Sequence, residues 1–216
     1  VCSGVLDFVE AVQLVKKRGQ YMQEAVPIGT GKMSAILGLT DDKVEKICLK
    51  ASQEGIVEPA NYNYPGQVVI GGEVKAVNLA GLIAKEEGAK RVIPLTVSAP
   101  FHTSMLRPAS EKFAPELSVT KIGDIQIPII SNVIADYIQK KEMVKEFLVK
   151  QVMYPILWTR CILKMIQDGV DTFIEIGPGK VLSGFLRKFG NNFTISNVED
   201  IKSLNHTLNI LENRLC

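Results

Sequence analysis

The chain has 216 residues, of which 46% are hydrophobic and 22% are charged, the composition of an ordinary globular protein. Its 25 basic and 23 acidic residues leave a net charge of +2, which argues against a broad nucleic-acid-binding surface. No apolar run approaches the roughly 20 residues that a membrane-spanning helix needs, and no signal peptide is visible. We therefore expect neither nucleic acid nor a membrane among its partners.

The cysteines and histidines indicate the redox setting and the scope for metal binding. The four cysteines are far apart in sequence and form no C-x-x-C pair, and His102 and His206 are the two histidines. Neither pattern is typical of a zinc site. We expect no metal, no other cofactor, and a reducing, cytoplasmic location.

The first predicted element is a helix that Asp7 caps and that continues to about Glu24. Arg18 falls on its apolar face, because it follows Leu14 by four residues and precedes Met22 by four. The apolar residues predicted on that face are Phe8, Ala11, Val12, Leu14, Val15 and Met22.

Residues 27–98 show the order β-α-β-β-α-β, which is typical of a ferredoxin-like subdomain. Pro65-Gly66 is the turn between the two central strands, and Gly88 ends the second helix. The predicted elements are strand 33–39, helix 41–52, strands 55–63 and 67–72, helix 73–88 and strand 89–98.

After residue 98, helices and strands alternate, which predicts a mostly parallel sheet covered by helices. The predicted helices are 106–117, 141–152, 159–169, 180–189 and 199–214, and the predicted strands are 125–133, 171–177 and 192–197. The fold class is therefore α/β, with residues 1–26 and 99–216 forming the larger domain and residues 27–98 inserted in it.

His102 lies in a loop directly after a predicted strand, between Phe101 and Thr103. A histidine there is suited to act as a general base, because its ordinary pKa is close to ambient pH. On position alone, a loop histidine without a catalytic role is the favoured interpretation.

Arg18 is unusual because a guanidinium on an apolar helical face is costly to bury without a partner. Its planar fork suits a carboxylate. That carboxylate could belong to a structural Asp or Glu or to a substrate, and a snorkelling side chain is a third possibility.

Two further motifs are weaker. Residues 175–184, EIGPGKVLSG, place a Gly-Pro-Gly turn before a helix, where an anion could bind. The spacing matches neither a Walker motif nor G-x-G-x-x-G, so a structural turn is favoured. Asn61 and Asn63 precede the Pro65-Gly66 turn and read as hairpin residues on their own.

Taken together, five stretches in order resemble the acyltransferase family of fatty-acid and polyketide synthesis, and most closely its malonyl-CoA:acyl carrier protein transacylases. The resemblance covers essentially the whole chain. The stretches are GVLDFVEAVQLVKKRGQYMQEAVPIGTGKM, NYNYPGQVVIGG, APFH, QVMYPILWT and IEIGPGKVLSG.

This resemblance implies an α/β-hydrolase-like core and a set of site residues. By this resemblance, His102 is the general base, the backbone carbonyl of Gln151 orients it, and Arg18 binds the free carboxylate of the malonyl group. It also suggests that Phe101 disfavours branched acyl groups. Met22, Phe101 and Asn63 join Arg18 as expected substrate-binding residues.

The implied reaction transfers a malonyl group from malonyl-CoA to the phosphopantetheine thiol of acyl carrier protein through a malonyl-serine ester. The family's G-H-S-x-G nucleophile motif is not in the chain, and no serine stands in a G-x-S-x-G context. We expect that motif before Val1, and we expect these 216 residues alone to be inactive. A polyketide synthase domain and a non-catalytic carrier-protein-binding fragment are the alternatives to a monomeric, stand-alone enzyme.

Overall fold

The computed structural model describes residues 1–97 and 99–215. The chain divides into two compact units, the first ending at Cys161 and the second beginning at Ile162. Within the described residues, every helix is too short or too polar to cross a membrane.

Helix α1, Phe8–Glu24, is capped by Asp7, whose carboxylate accepts hydrogen bonds from the backbone N–H groups of the first turn. The helix packs against α4, Arg107–Val119. Leu14 and Met22 are buried in that contact region. The apolar face is narrower than predicted, because three of its expected members are exposed: Phe8, Val12 and Val15.

Residues 31–94 form a four-stranded antiparallel sheet in the order β2-β3-β1-β4. Two helices, α2 and α3, complete the predicted β-α-β-β-α-β sequence of elements. Strand β4 is shorter than the predicted 89–98, because its register with β1 runs from Arg91 to Pro94; residue 98 of the prediction lies outside the described residues. The elements are β1 (Gly31–Leu37), α2 (Asp41–Ala51), β2 (Val57–Tyr64), β3 (Gln67–Glu73), α3 (Val74–Glu86) and β4 (Arg91–Pro94).

The two faces of this sheet have different neighbours. Ile36 points toward α2 and α3, where it joins the main apolar core of the sheet. Met33 and Ala35 alternate with it and belong to a smaller cluster that includes Phe101. The second face therefore lies beside the loop that carries His102.

The rest of the first unit supplies α4 and a set of short elements. A 3-10 turn, Ser104–Leu106, leads into α4. The predicted strand 125–133 is reduced to β5, Ile130–Ser131, because Pro128 has no N–H to donate to a ladder. The remaining elements are β6 (Asp136–Tyr137), which pairs antiparallel with β5, and α5 (Glu142–Lys150).

Helix α6, Trp158–Gln167, leads into the second unit. There β7 and β8 pair in parallel, and α7 connects them. Among the described strands, parallel ladders are confined to this pair, so the expected mostly parallel sheet is not seen. Strands joined by tight turns, such as β2–β3, pair antiparallel. The elements are β7 (Thr172–Ile176), α7 (Val181–Leu186), β8 (Thr194–Val198) and α8 (Ile201–Leu215).

Candidate active site

The loop between β4 and the 3-10 turn holds His102 in an unusual backbone conformation. Its φ is +60°, in the left-handed region that non-glycine residues seldom occupy. Such a conformation costs roughly 1–3 kcal/mol and persists only when its surroundings fix it. Within the loop, the Phe101 N–H donates to the Ala99 carbonyl at 3.0 Å, and the buried Thr103 hydroxyl donates to the Pro100 carbonyl at 2.7 Å.

A backbone carbonyl determines the tautomer of His102. Its Nδ1 lies 2.9 Å from the carbonyl oxygen of Gln151, at the C-terminal end of α5. A carbonyl oxygen only accepts, so Nδ1 carries the proton and donates it. In the neutral ring, Nε2 then keeps a lone pair that is available to accept a proton.

Burial lowers the pKa of His102 to about 4. The nearby positive charge of Arg18 lowers the pKa further, whereas hydrogen bonding to the backbone of Gln151 and Tyr154 raises it. The net effect keeps the imidazole neutral near pH 7. A neutral imidazole with an unprotonated Nε2 is the form that a general base requires.

Gln151 is itself held in place by a side-chain contact. Its Nε2 donates to the Oδ1 of Asn132 at 2.9 Å. Its backbone N–H donates to the Phe147 carbonyl and completes the last turn of α5. Asn132 was not singled out from the sequence, because no motif distinguishes it from other loop asparagines.

Arg18 is half-buried on α1, and desolvation lowers its pKa from 12.5. Within residues 1–97 and 99–215, no carboxylate forms an ion pair with it. A guanidinium stays protonated at neutral pH even under such desolvation. The structure therefore presents a cation in position to bind an external anion.

Arg18 and His102 line the same cavity, whose volume is about 470 Å³. Two more predicted residues, Met22 and Phe101, also line it, and Gln151 contributes through its hydrogen bond to His102. The cavity combines a cation and a neutral base with a mostly apolar wall. The other lining residues are Gly19, Met33, Asn61, Leu95 and Val97.

Asn63, the remaining predicted residue, does not line this cavity. Its Nδ2 donates to the Gln67 Oε1 at 2.9 Å, within the β2–β3 hairpin. Asn61 lines the cavity instead. In a regular strand the two asparagines would share a face, but the register of β2 shifts between Tyr62 and Tyr64 and separates them.

The Gly-Pro-Gly turn in the second unit is occupied by the chain's own carboxylates. Glu175 accepts hydrogen bonds from the Leu182 and Ser183 N–H groups at 3.1 and 2.7 Å. Glu199 accepts one from the Gly179 N–H at 2.9 Å. These contacts agree with the structural reading of the motif.

The other features that could form a site offer fewer reactive side chains. A second cavity of about 620 Å³ is lined mostly by apolar residues of the chain start and of residues 127–151, together with the polar Ser131, Asn132 and Gln151, and its lining holds no charged side chain. Across the part of the chain that the structure describes, no cluster of three His, Cys, Asp or Glu side chains could hold a metal ion.

The sequence matches a family model described as "Acyl transferase domain" over residues 1–206. The chain belongs to the acyl transferase domain family. A curated relative from Bacillus subtilis (strain 168), named malonyl CoA-acyl carrier protein transacylase, is 45% identical over 213 residues, which cover 98% of this chain and 67% of the relative. The protein of the same name from Escherichia coli (strain K12) is 43% identical, over 91% of this chain and 63% of the relative.

Solved structures agree with these relatives. A malonyl CoA-acyl carrier protein transacylase from Clostridium perfringens superposes with a TM-score of 0.95 at 50% identity, over 98% of this chain and 67% of that one. A malonyl-transacylase solved in complex with a type II PKS acyl-carrier protein gives 0.91 at 43% identity, over 94% and 66%. The chain thus spans about two thirds of the length of these proteins.

Proposed function

We propose that this chain forms the base and the carboxylate-binding part of an enzyme that transfers malonyl from malonyl-CoA to the phosphopantetheine thiol of an acyl carrier protein, as in fatty-acid synthesis. The observation that carries the proposal is the shared cavity of Arg18 and His102. Malonyl-CoA offers a free carboxylate for the cation and a thioester carbonyl for the chemistry. The names of the relatives support the same substrate pair.

The reaction has two acyl-transfer steps. A serine hydroxyl attacks the thioester carbonyl and gives its proton to Nε2 of His102, and the tetrahedral intermediate collapses as coenzyme A leaves with that proton. The carrier-protein thiol then attacks the malonyl-serine ester, its proton passes to Nε2, and the serine oxygen recovers a proton from Nε2.

The serine belongs to the family's G-H-S-x-G motif, which these 216 residues lack. We propose that a segment preceding Val1 carries it and contributes to the oxyanion hole. The 216 residues by themselves would then hold the base and the carboxylate site without a nucleophile.

Gln151 replaces the acidic member of the usual catalytic triad. Its neutral carbonyl accepts from Nδ1 at 2.9 Å and fixes the tautomer, which is the orienting role of the acid in a triad. A carbonyl stabilises the imidazolium less than a carboxylate does. The low pKa of His102 is consistent with that difference.

The walls of the cavity would set the acyl specificity. Phe101, beside His102, would crowd an α-methyl branch, and Met22 lies one helical turn after Arg18 on α1. Malonyl would therefore be preferred over methylmalonyl. Asn61, rather than Asn63, would supply the side-chain amide of the substrate site, because Asn61 lines the cavity.

We also propose a specific fold for each of two parts of the chain. The β-α-β-β-α-β order and the strand order β2-β3-β1-β4 support a ferredoxin-like subdomain at residues 27–98. We assign residues 1–26 and 99–216 to an α/β-hydrolase-like core. We also propose that the protein is a monomer. A reducing, cytoplasmic setting fits the free thiols of Cys48 and Cys161.

The direct test is a transfer assay on the complete protein with malonyl-CoA and holo acyl carrier protein. His102→Ala should lower the rate of malonyl transfer roughly 10²- to 10⁴-fold, because the general base is lost. His206→Ala is the matched control and should leave the rate unchanged, since His206 is exposed on α8 in the second unit. Equal rates in the two variants would refute the role of His102.

A second candidate comes from the structure in complex with a type II PKS acyl-carrier protein. A protein of polyketide synthesis would load that class of carrier in preference to a fatty-acid carrier. Parallel assays with both carriers, compared by kcat/KM, would separate the two functions. Binding of either carrier without any transfer would instead favour the non-catalytic module.

A further inference from the structure

Glu58, on β2, makes a two-point contact with the residue two positions after His102. Its Oε2 accepts from the Ser104 N–H at 2.7 Å, and its Oε1 accepts from the Ser104 hydroxyl at 2.7 Å. Both carboxylate oxygens are thus used on one loop residue. Hydrogen bonds to an ionised group are stronger than those between neutral groups.

The sheet is shaped to receive this loop. Glu58 is paired with Gly71 on β3, and Gly71 is paired with Met33 on β1, so the three positions form one row across the same face. A Cβ on Gly71 would lie 3.0 Å from the Thr103 side chain. Thr103 therefore packs against the glycine, Ser104 bonds to the carboxylate beside it, and Met33 lines the cavity.

A second glycine of the same sheet receives the other end of the loop. A Cβ on Gly31 would lie 2.3 Å from Cδ of the buried Pro100, which precedes His102 by two residues. The sheet therefore contacts the loop on both sides of His102. The Glu58 carboxylate is also well placed beside the Ser104 N–H. Ser104 begins the 3-10 turn that leads into α4, and N–H groups at the start of a helix lack helical partners.

We infer that Glu58 is a positioning residue for the transfer reaction: by binding both donors of Ser104 it holds the loop, and His102 with it, against the sheet. This inference rests on the proposed function. Gln151, at the end of α5, binds the imidazole of His102. Glu58, on β2, binds the backbone of the loop that carries His102. Together the two contacts explain how the left-handed conformation of His102 is maintained.

The first test follows the imidazoles of His102 and His206 in the complete protein by NMR during a pH titration, with His206 as internal control. In Glu58→Ala the loop is released, His102 becomes more hydrated, and its titration midpoint should rise by about one pH unit or more from about 4. Arg18, the charged group that faces it, remains in place. Glu58→Gln should stay near the original midpoint, because its amide offers both an acceptor and a donor to Ser104.

The second test measures turnover in the complete protein. Glu58→Ala should lower kcat roughly 10- to 100-fold with little change in the KM for malonyl-CoA, because a small displacement of the base affects chemistry more than binding. Glu58→Gln should restore most of kcat. The matched control is Glu54→Ala, an exposed carboxylate nearby in the 3-10 turn Ser52–Glu54, which should behave as wild type.

The outcomes separate this inference from the proposed function. If the unmodified complete protein transfers no malonyl, the proposed function fails, whereas the NMR titration still reports on Glu58. An unchanged His102 midpoint and unchanged kcat in Glu58→Ala would overturn the inference. If Glu58→Ala unfolds, Ser104→Ala decides: it removes one of the two contacts, and a wild-type midpoint there would equally overturn the inference.

Discussion

At the scale of single residues, the chemistry of His102 is set by its surroundings. Burial lowers its pKa below the ordinary 6.5, to about 4, although two backbone contacts work in the opposite direction. The imidazole is thereby kept as an acceptor at neutral pH without a carboxylate beside it. The same property predicts a pH-dependent contribution to folding stability.

Because the pKa of His102 is lower in the folded state, the unfolded chain binds the extra proton between about pH 4 and pH 6.5. The stabilising contribution is complete above pH 6.5 and is lost as the pH falls through 6.5 toward 4. It amounts to roughly 3–4 kcal/mol when complete, since the pKa falls from 6.5 to about 4 and one pKa unit corresponds to about 1.4 kcal/mol. Urea unfolding at about pH 5 and about pH 7 would measure it.

The comparison needs His102→Gln, because carboxylates with lowered pKa values, such as Glu116 and Glu87, also make stability rise with pH. The free energy of unfolding of the original protein minus that of His102→Gln should be larger at about pH 7 than at about pH 5. A difference that does not change with pH would contradict the low pKa of His102.

Phe101 gives a prediction about acyl specificity. Its ring lines the cavity beside His102, and Phe101→Ala should raise kcat/KM for methylmalonyl-CoA relative to malonyl-CoA by roughly tenfold, the effect of relieving about 1.4 kcal/mol of crowding. Competition between the two acyl-CoA substrates measures the ratio. Equal use of both substrates by the unmodified enzyme would rule out this role.

At the scale of elements, α1 is the support for Arg18. The cap at Asp7 satisfies two N–H groups of the first turn, with distances of 2.8 and 3.4 Å from Asp7 Oδ1. Asp7→Ala should cost about 1 kcal/mol, or roughly 2–4 °C in Tm for a chain of this size. Asp7→Asn keeps an acceptor and should melt close to wild type; identical melting of the Ala and Asn variants would show that the cap contributes nothing.

The sequence predicts elements best where periodicity and local signals agree. For α2, the apolar residues that recur at helical spacing in the sequence are the buried ones: Val44, Ile47, Cys48 and Ala51. For α1, the pattern overestimates the buried face. Periodicity shows which residues share an apolar face, but it does not show how much of that face the neighbouring elements cover. For 125–133, apolar content predicts a strand that Pro128 and the turn before β6 cut to two residues.

The site was predictable to the extent that motifs marked it. His102, Arg18 and Gln151 stand in recognisable segments, and the structure brings the first two to one cavity and hydrogen-bonds the third to His102. The sequence indicates only a hairpin role for Asn61 and no role for Glu58, because the cavity position of Asn61 and the contact of Glu58 with Ser104 depend on the register shifts of β2 and on its pairing with β3. Neither feature is visible in a one-dimensional pattern.

At the scale of the whole molecule, the site is assembled from segments far apart in sequence. Arg18 comes from α1, His102 from the loop after β4, and Gln151 from the end of α5, all in the unit that ends at Cys161. The β-α-β-β-α-β segment at residues 31–94 contacts the His102 loop from the sheet side. The chain spans about two thirds of its relatives' length, so function has to be measured on the complete protein.

In the proposed function, Arg18 binds the free carboxylate of malonyl while His102 activates the nucleophile. These roles are tested most directly by intact-mass measurement of acyl-enzyme formation in the complete protein, with malonyl-CoA and with acetyl-CoA, which has no free carboxylate. Lys16→Ala, an exposed position on the same helix, is the matched control for Arg18→Ala.

We predict that Arg18→Ala slows malonyl labelling roughly 10- to 100-fold, the loss of about 1.5–3 kcal/mol from a charge-assisted contact, while acetyl labelling is retained or increased. Lys16→Ala should label normally with malonyl-CoA. Malonyl labelling of Arg18→Ala at the wild-type rate, or an equal loss of malonyl and acetyl labelling, would show that Arg18 does not bind the free carboxylate of malonyl.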